Sequence, residues 1–199
     1  MHDGPQRFTL SVRDLLCELR AGRLVLPNTE WRWGAEDIAA FLDSLRRGVP
    51  VGMLLLWQAA EVRQSSYPRT VLDGQQRLLT LARVLARDVL APPYGDEPRL
   101  HIAYDLINQR FFPLRPFAQS DPWHLPLRVL GEHAPYLEWL GRLFCSGGQH
   151  LLVEVDRAVM LWNYQMPVCL AHGEAAAREI LERPGSAGKE RGGGNAHHG

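Results

Sequence analysis

Val71-Leu72-Asp73-Gly74-Gln75-Gln76-Arg77-Leu78-Leu79-Thr80-Leu81 starts apolar, breaks at an Asp-Gly pair, and continues as an apolar helix pattern. It reads as strand, tight turn and helix start. The first amides of such a helix have no internal partners, and the macrodipole adds positive potential there, which makes an anion site. Arg77 contributes a planar donor fork suited to phosphate. A second reading of the same residues stays open. Asp73 as N-cap and Gln76 three residues later form a capping box, with Gly74 relieving the turn and Gln75 and Arg77 in solvent.

Upstream, residues 51–57 (Val-Gly-Met-Leu-Leu-Leu-Trp) are a continuous apolar run bounded by turn signals, which predicts a central buried strand. Ile38, Phe41, Leu42 and Leu45 at helical spacing predict a helix over 35–47, ended by Gly48 and Pro50. Ser11, with Asp14 at the capping-box distance, starts an earlier helix that Gly22 ends, and 24–26 is a short strand. Between them lies Asn28-Thr29-Glu30-Trp31-Arg32-Trp33. Its indoles and arginine suit either stacking on a planar ligand or base, or pinning the loop to the core.

Downstream, Leu78, Leu81, Ala82, Leu85 and Val89 mark one side of the helix after the turn. Arg83 and Arg87 lie on another face, as solvated residues or an anion contact. Residues 91–95 break the helix. Residues 100–104 and 110–114 predict a hairpin, with His101 exposed, and 115–126 reads as irregular. Helices are expected over 135–144, with Tyr136, Leu137, Leu140 and Phe144 on one face, over 151–162, and over 174–181. Residues 146–148 read as a linker. Residues 164–170 read as a strand whose Pro167 suits an edge or a strand start. The Gly-rich tail, 183–199, is expected to be disordered.

The 199 residues allow one ordinary domain over 8–182 plus that tail, and 46% hydrophobic content supports a real core. With 22 basic and 22 acidic residues, the formal charge is zero, so no global bias towards nucleic acid or membrane exists. Cys17, Cys145 and Cys169 form no C-x-x-C pair and sit among apolar neighbours, which predicts buried free thiols. The first residues do not form a signal peptide and no apolar run spans a membrane, so a cytoplasmic location is expected. The eight histidines show no metal-ligand spacing.

The motif and its flanks resemble the N-terminal domain of GmrSD-type restriction endonucleases. Asp73-Gly74-Gln75-Gln76-Arg77 followed by Leu78-Leu79-Thr80-Leu81 matches that family's hallmark in full. Residues 40–52, Tyr104-Asp105-Leu106 and Asn163-Tyr164-Gln165-Met166-Pro167-Val168 are also similar to it. The resemblance implies an α/β (α+β) fold of the ParB/sulfiredoxin-like kind, a mixed sheet with packed helices and a C-terminal helical part. It implies a nucleotide-binding domain, one that hydrolyses or senses NTP, of a modification-dependent restriction or phage-defence system. Asp73 and Arg77 would be catalytic, Asp73 orienting water or a metal ion. Gly74, Gln75, Gln76, Arg77 and Thr80 would hold phosphate, with magnesium or another divalent metal accompanying the NTP. From their residue types alone, apart from the resemblance, Trp31, Arg32 and Trp33 are the candidate base or DNA contacts. Partners would be a nucleoside triphosphate, modified DNA, and a separate nuclease subunit or a second copy; no nuclease domain is expected here. The rival expectations are a non-catalytic DNA-binding or sensing module and an inactive remnant. The chain departs from the family pattern twice: Asn28-Thr29 stand where Gln-Arg is usual, and the segment after Ile180 loses the family's closing asparagine.

Overall fold

A computed structural model describes residues 4–27, 30–59, 68–86, 90, 101–114, 121–173 and 178. The chain forms strand β1 (Gln6–Ser11), helix α1 (Val12–Arg20), β2 (Leu24–Val25), α2 (Ala35–Arg46), β3 (Leu54–Gln58), β4 (Arg69–Asp73) and α3 (Gln75–Leu85). Then follow β5 (Ile102–Asp105), β6 (Arg110–Pro113), β7 (His124–Pro126), α4 (His133–Cys145), α5 (Leu152–Val159) and β8 (Gln165–His172). This is a mixed α/β fold, as expected.

Five strands make a mixed sheet in the order β1-β8-β3-β4-β2. β1 runs antiparallel to β8 and β3 antiparallel to β4, whereas β8–β3 and β4–β2 are parallel. The apolar run at 54–58 therefore lies centrally, with Leu54, Leu55 and Leu56 all buried. Its two faces feed two clusters. Leu54 and Leu56 join the main core with Val71, Val168 and Leu170, while Leu55, Cys169 and Ala171 form a smaller cluster on the opposite face. Continuous hydrophobicity, rather than alternation, is what a strand covered on both sides requires. A second, antiparallel sheet of order β6-β5-β7 closes over β5, whose four residues are all buried.

The sequence signals at the early helices hold. Ser11 Oγ accepts from the Asp14 amide at 3.0 Å and donates to the Asp14 carboxylate at 2.6 Å, which starts α1. Gly22 and Gly48 follow α1 and α2 in the left-handed conformation that ends helices. α2 buries the expected Ile38, Phe41, Leu42 and Leu45.

Several expectations change. β1 was not legible, because its exposed, polar residues 6 and 7 carry no alternation, and its partner β8 lies far away in sequence. β7 arises inside the supposed irregular segment by pairing with β5. Pro167 lies inside the sheet, not at an edge: β8 is flanked by β1 and β3. It is tolerated because β3 begins its pairing only at Val168, one residue further on. α4 buries Trp139 and Leu143, leaving Leu137 and Phe144 exposed. The indole wins that face because its N–H also reaches the His124 carbonyl at 3.0 Å. The 146–148 linker is a tight turn with Gly147 left-handed. The expected 151–162 helix is divided into a 3-10 turn Gly148–Leu151, α5, and a 3-10 turn Met160–Asn163. Residue His101 is half-buried and precedes β5, its carbonyl accepting from the Leu114 amide. The 61–67 connector, Arg87, Val89, the 91–95 break, residue 100, most of the 174–181 helix and the tail lie outside the described residues. No described helix is long and apolar enough to cross a membrane.

Candidate functional site

α3 is a central helix rather than a surface one. From Leu78 to Leu85 every residue is buried, so packing surrounds it after its first turn. Its N-terminus emerges from β4 through Gly74, which is the N-cap with φ of 86°. That conformation costs glycine little and other residues much.

The helix start corrects the capping-box expectation. With Gly74 as N-cap, Asp73 stands one residue too early, and the N-cap itself supplies no side-chain hydrogen bond. Gln76 falls at the second helical position and bridges elsewhere. Its Nε2 donates to the Glu30 carbonyl at 2.6 Å, and its Oε1 accepts from the Arg32 amide at 3.1 Å. One amide group thus satisfies an acceptor and a donor of the 30–32 loop. Gln75 turns back on the strand, donating to the Val71 carbonyl at 2.9 Å and to that of Leu72 at 3.4 Å. The Arg77 Nη1 donates to the Val51 carbonyl at 2.8 Å, and its Nη2 lies 3.4 Å from the Asp73 carboxylate. Thr80 sits deeper, fully buried, with its hydroxyl donating to the Gln76 carbonyl.

The polar motif is therefore a junction between β4, the 30–32 loop and the 51–52 segment. The Arg77 side chain is 14% exposed and that of Asp73 39%. Burial lowers the Arg77 guanidinium pKa, and the Asp73 charge opposes that effect. Asp73 is the more open of the two. Among the described residues no three acidic, cysteine or histidine side chains cluster to hold a metal.

The aromatic loop resolves towards pinning. Trp31 lies against the Arg83 guanidinium, 4.3 Å from ring centroid to Cζ. Trp33 packs edge-on against Phe41 with centroids 5.1 Å apart. Both indoles are half-buried against the core, while the Arg32 side chain is 67% exposed and 4.0 Å from the Glu30 carboxylate. Arg83 is buried beneath Trp31 rather than solvated, its charge set over the ring face. Sequence spacing did not reveal that pairing, because Trp31 and Arg83 meet only through the fold. Asn28 and Thr29 lie outside the described residues. Two cysteines also depart from expectation: Cys17 and Cys145 are exposed and only Cys169 is buried, all three as free thiols.

The site is thus a strand, a left-handed glycine and a helix start whose Gln-Gln-Arg residues tie it to two neighbouring segments of a mixed α/β fold. The family model described as GmrSD restriction endonuclease, N-terminal domain, matches residues 13–137, from α1 into α4, and the chain belongs to that family. No curated protein matches the chain. Membership sets the protein in the context of restriction and phage defence. β8 lies beyond the matched residues, so the strand that joins β1 to β3 comes from outside them.

Proposed function

We propose that the Asp73–Arg77 turn binds the phosphates of a nucleoside triphosphate. The observation that carries this reading is the α3 N-terminus, where the N-cap Gly74 supplies no side-chain cap and the Arg77 guanidinium is fixed alongside. Gly74 leaves to Leu54 and Arg77 the space that a Cβ would take, and Gln75 and Gln76, tied to the strand and the loop, hold the turn in place. Because the guanidinium is already anchored, little side-chain freedom is lost on binding.

The Asp73 carboxylate opposes an anion at that position unless a cation lies between them. A divalent ion such as magnesium would be held there by Asp73 together with the ligand, since magnesium is commonly bound through one or two carboxylates and substrate phosphates. Such an ion would neutralise phosphate charge. The chain's own share in hydrolysis is positional: backbone amides and Arg77 orient the phosphates, and Asp73 orients water at the rim.

Purified protein should gain thermal stability with ATP or GTP plus magnesium, because a ligand that binds only the folded state raises apparent stability. Asp73→Asn should abolish the magnesium-dependent part of that shift. A full shift retained in Asp73→Asn and Arg77→Lys together would overturn this assignment. Phosphate release measured alongside separates binding from turnover. The DNA-sensing alternative retains Arg32 as its outward-facing group, since both indoles already pack on the protein.

A further inference from the structure

At the other end of α3, away from the Asp-Gly turn, is a cleft of about 460 Å³. It lies between α1, the last turn of α3, a 3-10 turn at Leu127–Gly131 and the Met160–Asn163 turn. We propose that this cleft is a second binding site for a small polyanion carrying a planar ring, of the nucleotide class, and that it is distinct from the phosphate turn.

Charge is the first observation. Among the described residues, Arg13, Arg20, Arg83 and Arg128 line the cleft with Glu132. The chain as a whole is neutral, so this is local concentration rather than a general basic character. The C-terminal end of α3 contributes a partial negative charge, which the arginines from the neighbouring elements outweigh. Arg13 and Arg128 come from different elements and are both exposed, which places them at the rim.

The floor is the second observation. Leu16, Val84 and Leu85 are buried apolar residues, and the Trp162 ring stands beside them half-buried. An apolar floor with an indole and a cationic rim suits a ligand with a flat ring and a charged tail, and the volume falls within the range of small-molecule sites. A bare inorganic anion would use the rim alone.

The wall is built for close approach. A Cβ on Gly131 would meet the Leu85 carbonyl oxygen at 2.6 Å, with the Trp162 ring at 3.9 Å. Glycine therefore lets the 127–131 turn press onto the end of α3 and sets the width of the cleft. Arg83 connects the cleft inward, since its guanidinium also lies over Trp31.

Cys17 supplies a direct readout. It lines the cleft, is exposed and is a free thiol. Cys145, also exposed, is outside the cleft and serves as the internal control. The experiment is timed alkylation with iodoacetamide, read by peptide mass spectrometry, with ATP, GTP or inorganic pyrophosphate at matched ionic strength. At about ten times Kd, mass action leaves about a tenth of the sites open, so Cys17 alkylation should slow about tenfold with a nucleotide. Cys145 should be unaffected. Protection should disappear in the Arg13→Ala, Arg128→Ala double variant, whose exposed positions make misfolding an easily checked exception by circular dichroism. It should persist in Asp73→Asn, where the phosphate turn is altered.

An unchanged Cys17 rate, or equal slowing of both thiols, would overturn the proposal. So would protection that survives the double arginine variant but vanishes in Asp73→Asn, since the only site would then be the turn. Pyrophosphate protecting as well as ATP and GTP would overturn the nucleotide assignment. A nucleotide-induced thermal shift without Cys17 protection would leave the phosphate turn standing and remove this cleft.

Discussion

A Cβ placed on Gly52 would lie 2.6 Å from the Arg77 Nη1. Gly52 has φ of 84°, and the carbonyl of its neighbour Val51 accepts from that same guanidinium nitrogen. The segment entering β3 and the Arg77 side chain therefore share one space, and the absence of a side chain at position 52 is a condition for the arginine's position.

Gly52→Ala should for this reason act twice. The left-handed backbone disfavours alanine, at about 1–3 kcal/mol of stability. The methyl also displaces Arg77 from the Val51 carbonyl. Thermal melting should fall by several degrees, and the nucleotide-dependent shift should shrink beyond what the lower stability accounts for. A melt unchanged from wild type would show that the segment can move aside.

Gln76→Ala removes both hydrogen bonds to the 30–32 loop and should cost about 1–3 kcal/mol, from two bonds of ordinary net strength. Because Trp31 belongs to that loop and packs on Arg83, its tryptophan fluorescence should shift towards a more solvated spectrum. Gln76→Glu is the stricter test. It is nearly isosteric, but it loses the donor to the Glu30 carbonyl and should loosen the loop almost as far.

Acid sensitivity should be traceable to Asp105. Burial acts to raise its carboxyl, but hydrogen bonds from the Asn108 side chain and from the amides of Asn108 and Ile107 prevail, and its pKa is lowered. A lowered folded pKa means stability that is present above the unfolded carboxyl value of about 4 and is lost as pH falls through the folded value. Urea midpoints of wild type and Asp105→Asn should therefore differ at neutral pH and converge in acid. Parallel curves down to low pH would refute this.

At alkaline pH the informative group is Tyr104. Burial, reinforced by its hydrogen bond to Glu154 at 3.1 Å, pushes the phenol up to about 12. Here the folded pKa is raised, so the contribution is complete below the unfolded value of about 10 and is lost as pH rises towards the folded value. Ultraviolet difference spectra of wild type against Tyr104→Phe should show no phenolate from this residue at pH about 10, and its appearance together with unfolding above that. The same substitution takes one donor from Glu154, which keeps those of Gln109 and Arg157. Its cost at neutral pH should stay near 1 kcal/mol.

The legible parts of the fold were those whose signals are local. The apolar run now in β3, the Ser11 cap and the stripe of α2 each depend on neighbours within a few residues. The β4–turn–α3 unit was legible for the same reason, and its flanks carried the family resemblance. What could not be read required partners distant in sequence. Gln76 looks like half of a capping box until the Glu30 loop arrives 46 residues away to take its amide. Arg83 looks solvated until Trp31 covers it, and Leu137 looks like a core residue until Trp139 claims the interior. Helical spacing identifies a stripe, but the choice among large apolar residues on neighbouring stripes belongs to tertiary packing. The arginine-lined cleft was equally invisible, since its walls come from four separate parts of the chain.

The position of β8 also governs the order of assembly. The last described strand lies second in the sheet, between the first strand and the central one. While the chain leaves the ribosome, β1 has no neighbour until residues 165–172 emerge, and β3 presents an open edge to other nascent chains. The sheet therefore closes late, through contacts of long sequence separation, which slow folding. A chain stalled or cut at residue 137, where the family match ends, would expose that edge permanently and should aggregate rather than fold as a smaller version of the domain.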